Sequence, residues 1–260
     1  MSIPENGYPR AAAVSPRLHI APSVDSTNKK LLTDAFDDPE GHPHLSVVLT
    51  RDQRAGRGRL DRTWVTPPDS ALAVSVLLRV EAVPTSARGW IPLVAGAAMT
   101  SAVRDQLEGR EVGLKWPNDV LVGGLKICGI LAEVMPGDPH TVVVGAGVNT
   151  RMTAAELPVP TATSFAALAR TADEDRLLAD YLTGLRDAVA ALAVGGTVAD
   201  AAMQAVREVC TTLGSDVSVS LPDGSTLIGT AQRIDDEGRL VVEAAGVTHV
   251  VSAGDVVHVR

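Results

Sequence analysis

The chain has 260 residues, 45% hydrophobic and 21% charged, with 31 acidic against 23 basic side chains and a formal net charge of -8. That length and composition suit a globular protein with a full core and exclude disordered, collagen-like and fibrous classes. The acidic balance argues against a general nucleic-acid binder, and two cysteines without a CxxC partner and six histidines without ligand spacing argue against a disulfide scaffold or structural zinc.

Residues 1–17 hold Pro4, Pro9 and Pro16 among polar neighbours with no apolar run, which predicts a flexible tail and neither signal peptide nor membrane anchor. A cytoplasmic protein follows from this reading. Asp25 or Ser26 is placed to cap a helix over about 27–35, and β-rich runs at 47–49 and 71–80 predict strands. A second helix is expected over about 92–108. Strands at 112–116, 120–122 and 127–134 are punctuated by Pro117-Asn118-Asp119 and Gly123-Gly124, and a further strand is expected at 141–144. Between 176 and 192 the apolar set Leu177, Leu178, Tyr181, Leu182, Leu185, Val189 and Leu192 follows helical spacing, a core-facing stripe. Past Leu213 the texture changes to strands at 217–221, 226–234, 240–243 and 247–252 separated by Pro222-Asp223-Gly224 and Asp235 to Gly238. The expectation is an α+β fold: a mixed central sheet with packed helices over 18–212, then a small β-barrel over 213–260 that packs against it.

Charge reverses locally at 51–62, where Arg51, Arg54, Arg57, Arg59 and Arg62 outnumber Asp52 and Asp61. Within it, residues 56–62 carry Arg57, Arg59 and Arg62 on a stretch loosened by Gly56 and Gly58, and guanidinium forks bond carboxylate or phosphate oxygens in pairs, so 56–62 reads as an anion clamp that Arg51 and Arg54 precede. Three other segments stand out. Asp25-Ser26-Thr27-Asn28 serves either as an ordinary helix cap or as a polar ligand contact. Lys126 opens an apolar strand soon after Lys115-Trp116-Pro117-Asn118-Asp119, and two of the chain's four lysines fall here. Its ammonium either reaches solvent past its alkyl stem or pairs with an anion. Gly145-Ala146-Gly147-Val148-Asn149 follows a strand and is either a common turn or a close backbone approach, with Asn149 offering a donor and an acceptor to a base edge. Together these groups suit activation of a carboxylate by a nucleotide. Bringing a carboxylate within about 4 Å of one phosphate charge costs roughly 4 kcal/mol at an effective dielectric near 20, so several cations must converge.

In order and spacing, Ser26-Thr27-Asn28, Gln53 before Gly56-Arg57-Gly58-Arg59, Trp64, the 115–119 segment, Lys126 before Gly129-Ile130-Leu131, and Gly145 to Asn149 resemble biotin protein ligases (biotin-[acetyl-CoA-carboxylase] ligases). The resemblance covers about 22–150, and the strand-rich end resembles that family's SH3-like C-terminal domain. It implies a catalytic domain like those of class II aminoacyl-tRNA synthetases, with biotin and the ATP–Mg2+ complex as substrates and no tightly bound cofactor. Biotin carboxylate would attack the α-phosphate to give biotinyl-5′-AMP, and a lysine of the biotin carboxyl carrier domain of acetyl-CoA carboxylase would then displace AMP. Carried over by motif position, Ser26, Thr27, Asn28, Gln53, Arg57, Gly58, Arg59 and Lys126 would line the biotin and adenylate-linkage site. Arg62, Trp64, Asn118 and Asn149 would serve the nucleotide, and the 57–64 segment would be a cover, disordered when empty. Lys126 and Arg59 are the expected catalytic cations. Asp119 is the candidate that takes the proton of the attacking lysine, whose reference pKa of about 10.4 leaves little free amine.

Two departures from the family pattern stand out. Asp61 occupies a position where glycine is usual, adding a negative charge to the clamp. Only 25 residues precede Ser26-Thr27-Asn28, too few for the winged helix-turn-helix of the repressor members, so a monofunctional ligase without DNA or membrane binding is expected, as a monomer or weak homodimer. The rival enzyme reading is a lipoate protein ligase. The rival from another class is an arginine-loop module that binds RNA or acidic protein, which the few aromatic side chains disfavour.

Overall fold

The computed structural model describes residues 7–59, 62–64, 66–221, 224–252 and 254–259. In chain order the elements are α1 (Pro9–Val14), β1 (Leu18–Ile20), α2 (Thr27–Asp37), β2 (Val47–Thr50), β3 (Gly56–Arg57), β4 (Thr63–Trp64) and β5 (Ala71–Arg79). A 3-10 turn at Thr85–Trp90 leads into α3 (Ile91–Arg104), followed by β6 (Val112–Lys115), β7 (Asp119–Val122), β8 (Leu125–Met135), β9 (Asp138–Asn149), α4 (Glu174–Val194) and α5 (Gly196–Val209). The final part contains β10 (Asp216–Ser220), β11 (Thr226–Ile234), β12 (Leu240–Ala244), β13 (Val247–Val251) and β14 (Asp255–His258).

Seven strands form one sheet in the order β1-β2-β5-β9-β8-β7-β6. The β1–β2 pair is parallel and the others are antiparallel, giving the mixed sheet expected. β5 reads as a nearly unbroken apolar run because both of its faces are covered, and Ser75 is the polar residue within its buried stretch. Alternation along β9 sends Val142, Val144, Ala146 and Val148 into the main core beneath α3 and α4. The stripe Leu177, Leu178, Tyr181, Leu182 and Leu185 of α4 joins them there, each apolar side chain contributing roughly 1.5–3 kcal/mol on full burial. On the opposite face α2 covers only part of the sheet, packing Leu31 and Ala35 against Val48, Leu77, Met135 and Val143. The uncovered end of that face, at Gly145 and Gly147, is where the site forms.

Ser26 caps α2 by accepting from the Lys29 N–H, and Asp173 caps α4 by accepting from Arg176 N–H. α4 ends at Gly195-Gly196, both at positive φ, where the chain turns sharply into α5. The five C-terminal strands form an antiparallel sheet in the order β13-β12-β11-β10-β14. The β11–β12 turn docks on the larger part: Trp90 Nε1 donates to Asp236 O at 2.9 Å and Trp116 Nε1 to Gly238 O at 3.1 Å. One continuous core runs through both parts, from Trp90 and Trp116 to Val217, Ile234 and Leu240.

One expectation is corrected here, and one element has no counterpart in the sequence reading. The tail expected at 1–17 contains α1 and β1's approach; Tyr8 is buried and its hydroxyl donates to Glu174 Oε2 at 3.0 Å, while Asp175 accepts from the N–H groups of Arg10 and Ala11. Residues 1–6 lie outside those described. α5 was not foreseen, although Ala199, Met203 and Val206 bury at helical spacing. Asp61, Pro222 and Asp223 also lie outside the described residues.

Candidate active site

The cleft sits where α2 begins, β8 and β9 expose their glycines, and the β3–β4 hairpin crosses above them. Its floor is open because two positions lack a side chain. A Cβ on Gly145 would stand 2.3 Å from Asn28 Oδ1, and one on Gly147 would stand 2.6 Å from the Trp64 ring. The Gly145 to Asn149 segment is therefore a strand with close approach from above, not a turn.

One end of the cleft is polar and neutral. Ser26, Thr27 and Asn28 come from the first turn of α2, and Gln53 comes from the segment after β2. Gln53 Oε1 accepts from Thr27 N–H at 2.8 Å and from Thr27 Oγ1 at 3.0 Å. Ser75 Oγ lies 2.8 Å from Thr27 Oγ1 and 2.6 Å from Asn28 Oδ1. These side chains are nearly buried, so the network is rigid and offers hydrogen bonds without charge.

The other end is cationic. Arg57, Arg59, Arg62 and Lys126 line it together with Asp119 and Asp255. Lys126 Nζ lies 2.6 Å from Asp119 Oδ1, and Lys115 Nζ lies 3.7 Å from the other Asp119 oxygen. Lys126 is thus both paired and partly exposed, which merges the two readings its position allowed. Arg57 pairs with Glu133 at 2.8 Å and Arg62 with Asp255 at 2.5 Å. The Arg62 bond holds the Asp255 carboxyl below the usual carboxylate range. Arg59 donates to neutral oxygens, Asn118 Oδ1 and Gly254 O, each at 3.2 Å, and burial lowers its pKa from the ordinary guanidinium value. It is held by weak partners in a half-buried setting, which leaves it fit to meet an incoming anion.

Not every arginine of the 51–62 segment joins the clamp. Arg51 is buried away from the cleft, where its Nε donates to Glu174 Oε2 at 2.9 Å and its Nη2 reaches the same oxygen; Arg54 pairs with Asp52 on the surface. The three arginines of the 56–62 clamp, Arg57, Arg59 and Arg62, line the cleft, while Arg51, just past β2, turns to Glu174 at the start of α4. Asn149 also departs from expectation. It lies at the end of β9, beyond the lining, and its Nδ2 donates to Thr163 O at 2.9 Å, tying down the following loop. Ser26, Thr27, Asn28, Gln53, Arg57, Gly58, Arg59, Arg62, Trp64, Asn118, Asp119 and Lys126 do converge on one cleft.

Sequence reasoning missed Ser75, Glu133 and Asp255. A lone polar residue in an apolar strand was the available signal for Ser75 and Glu133. Asp255 has no local signal, since it reaches the cleft from β14 of the C-terminal sheet. Among the described residues no group of three His, Cys, Asp or Glu is placed to hold a metal ion, and no helix is long and apolar enough to cross a membrane.

A neutral hydrogen-bonding pocket running into a cluster of cations, on an α+β sheet braced by a small β-domain, defines an acid-activating ligase of the kind that joins a carboxylate to a nucleotide. Known proteins agree with that class. Residues 20–149 match the biotin/lipoate A/B protein ligase family, and residues 212–259 match the biotin protein ligase C-terminal domain. The biotin-[acetyl-CoA-carboxylase] ligase of Mycobacterium tuberculosis is 39% identical over 248 residues, covering 94% of this chain and 90% of the relative. The ligase of the same name from Paracoccus denitrificans is 38% identical over 129 residues, 48% of this chain and 51% of that protein. The fold matches the Aquifex aeolicus biotin protein ligase in complex with biotin and ATP with a TM-score of 0.76 and 21% identity, covering 94% of this chain and 99% of the other. The chain belongs to the biotin protein ligase family.

Proposed function

We propose that this protein is an ATP-dependent ligase that activates biotin as biotinyl-5′-AMP and transfers it to the acceptor lysine of a biotin carboxyl carrier domain such as that of acetyl-CoA carboxylase, working in the cytoplasm with ATP as its magnesium complex. The observation that carries this reading is the convergence, in one cleft, of a neutral polar pocket with Arg57, Arg59, Arg62 and Lys126. The relatives named as biotin ligases support it.

In the first step a biotin carboxylate oxygen forms a bond to the α-phosphorus and pyrophosphate leaves with the electron pair. Lys126 and Arg59 offset the repulsion between the two anions and the charge that develops between them. Ser26, Thr27, Asn28 and Gln53 hold the ring system of biotin, whose ureido group is neutral and bonds in both directions. Arg62, Trp64 and Asn118 receive the nucleotide. Asn149 acts behind them, by fixing the 163–165 loop. In the second step the carrier amine attacks the acyl carbon of the mixed anhydride, AMP leaves, and Asp119 takes the amine proton.

The test is direct. The protein is incubated with ATP, magnesium and a biotin carboxyl carrier domain, with biotin or with lipoate, and the carrier is weighed by mass spectrometry. One biotin added to one lysine is the expected result. Lipoate added in preference to biotin, or no acylation with either, overturns the reading.

A further inference from the structure

We propose that Glu133, which lies behind the cleft lining and belongs to no family motif quoted above, is a positioning residue that sets the hydrogen-bond polarity of the biotin end; the inference rests on the biotin-ligase reading. Glu133 follows Gly129 and Leu131 along β8, two strand residues at a time, so it shares the face from which those two reach the cleft. Its side chain is 22% exposed, and its two oxygens are divided between two lining residues. Oε2 accepts from Asn28 Nδ2 at 2.8 Å, and Oε1 meets Arg57 Nη2 at 2.8 Å.

This division has a consequence for Asn28. Its Nδ2 has two hydrogens, and both are spent, one on Glu133 and the other on Leu131 O at 3.2 Å. The amide is thereby fixed with Oδ1 turned to Ser75, whose hydroxyl lies 2.6 Å away, and with Gly145 leaving room for it. An amide oxygen has a second lone pair, so Asn28 meets the cleft as an acceptor, matched to a ligand N–H such as the ureido N–H groups of biotin. The same carboxylate keeps Arg57 beside the pocket. One acidic side chain thus links α2 to the β3–β4 hairpin and orients a member of each.

A glutamine cannot repeat this. Its single carbonyl oxygen accepts from one partner, while its NH2 faces the other as donor against donor. Either Arg57 is released or the Asn28 amide turns over, presenting a donor where the ligand also has one. The substitution Glu133→Gln is therefore expected to raise the KM for biotin roughly tenfold, the scale of one misplaced hydrogen bond, while the KM for ATP changes by less than about twofold. Both constants come from biotin-dependent exchange of labelled pyrophosphate into ATP by the full chain, and the melting temperature is read alongside.

Glu133→Asp is the second variant. It keeps the charge and is expected to fold, but its shorter side chain reaches one partner less well, so a smaller rise in the KM for biotin alone is expected. An unchanged KM for biotin in Glu133→Asp and Glu133→Gln, or an equal rise in the constants for biotin and ATP, overturns the positioning role. If the wild-type protein shows no biotin-dependent exchange, the ligase reading itself fails and the proposal falls with it; exchange by wild type with unaltered variants removes the proposal alone.

Discussion

Replacing Lys126 by alanine tests the electrostatic core of the mechanism. The ammonium lies 2.6 Å from Asp119 Oδ1 at the rim of the cleft, and the Asp119 side chain is 15% exposed. Removing it takes away one cation from the linkage site and leaves Asp119 with Lys115, at 3.7 Å, as its ion-pair partner among the described residues. A unit charge about 4 Å from an anionic oxygen contributes roughly 4 kcal/mol at an effective dielectric near 20. The Lys126 side chain is 41% exposed. Solvent screening at that exposure reduces the figure to about 2–3 kcal/mol. The expected loss in adenylate formation is then roughly 30- to 150-fold. Biotin-dependent pyrophosphate exchange measures this step alone, and transfer from preformed biotinyl-5′-AMP should suffer less, because the anion repulsion has already been overcome. Exchange by Lys126→Ala at the wild-type rate refutes the assignment.

Asp119→Asn should slow transfer of biotin from preformed adenylate to the carrier lysine, and an unchanged transfer rate removes Asp119 as proton acceptor. Gly147→Ala places a methyl group 2.6–2.7 Å from the Trp64 ring; the indole must shift, and the KM for ATP should rise while urea unfolding changes little. At the buried end of the molecule, Glu174→Gln removes the carboxylate shared by Arg51, Arg151 and Tyr8 and should destabilise the fold by about 3–5 kcal/mol in urea titration. Burial, followed by the Glu174 charge, raises the Tyr8 pKa above its ordinary value near 10. The folded state therefore holds that proton more tightly than the unfolded chain, so stability present below about pH 10 is lost as pH rises further, and Tyr8→Phe should flatten that alkaline decline. Burial likewise pushes the Cys128 thiol up to about 12 and raises that of Cys210. Native protein at pH 8 should show no fast-reacting thiol, and prompt modification of either cysteine contradicts the packing.

The elements that were legible in the sequence carry their own periodicity. β5 could be read because eight of its nine residues are buried on two faces, and α4 because its apolar stripe repeats at helical spacing from Leu177 to Leu192. The cleft was largely legible for a different reason: its residues cluster in short glycine- and charge-bearing segments whose chemistry is local. What escaped is non-local. α1 looked like a tail because six residues show little pattern, and it is held by Tyr8 reaching Glu174, 166 positions away. Arg51 lies close in sequence to the clamp arginines, yet it is buried against Glu174 and not in the cleft.

By itself the sequence determined the class of fold, the order of the motifs and most of the groups that meet an anion, since these depend on periodicity and on side-chain chemistry within a few positions. Tertiary structure alone decided which charges are already neutralised: Glu133 against Arg57, Asp255 against Arg62, Asp119 against Lys126. Coulomb energy depends on separation in space and on burial, neither of which is written along the chain, so the partner of each cation became visible only after β8, β14 and the β3–β4 hairpin had been brought to one cleft.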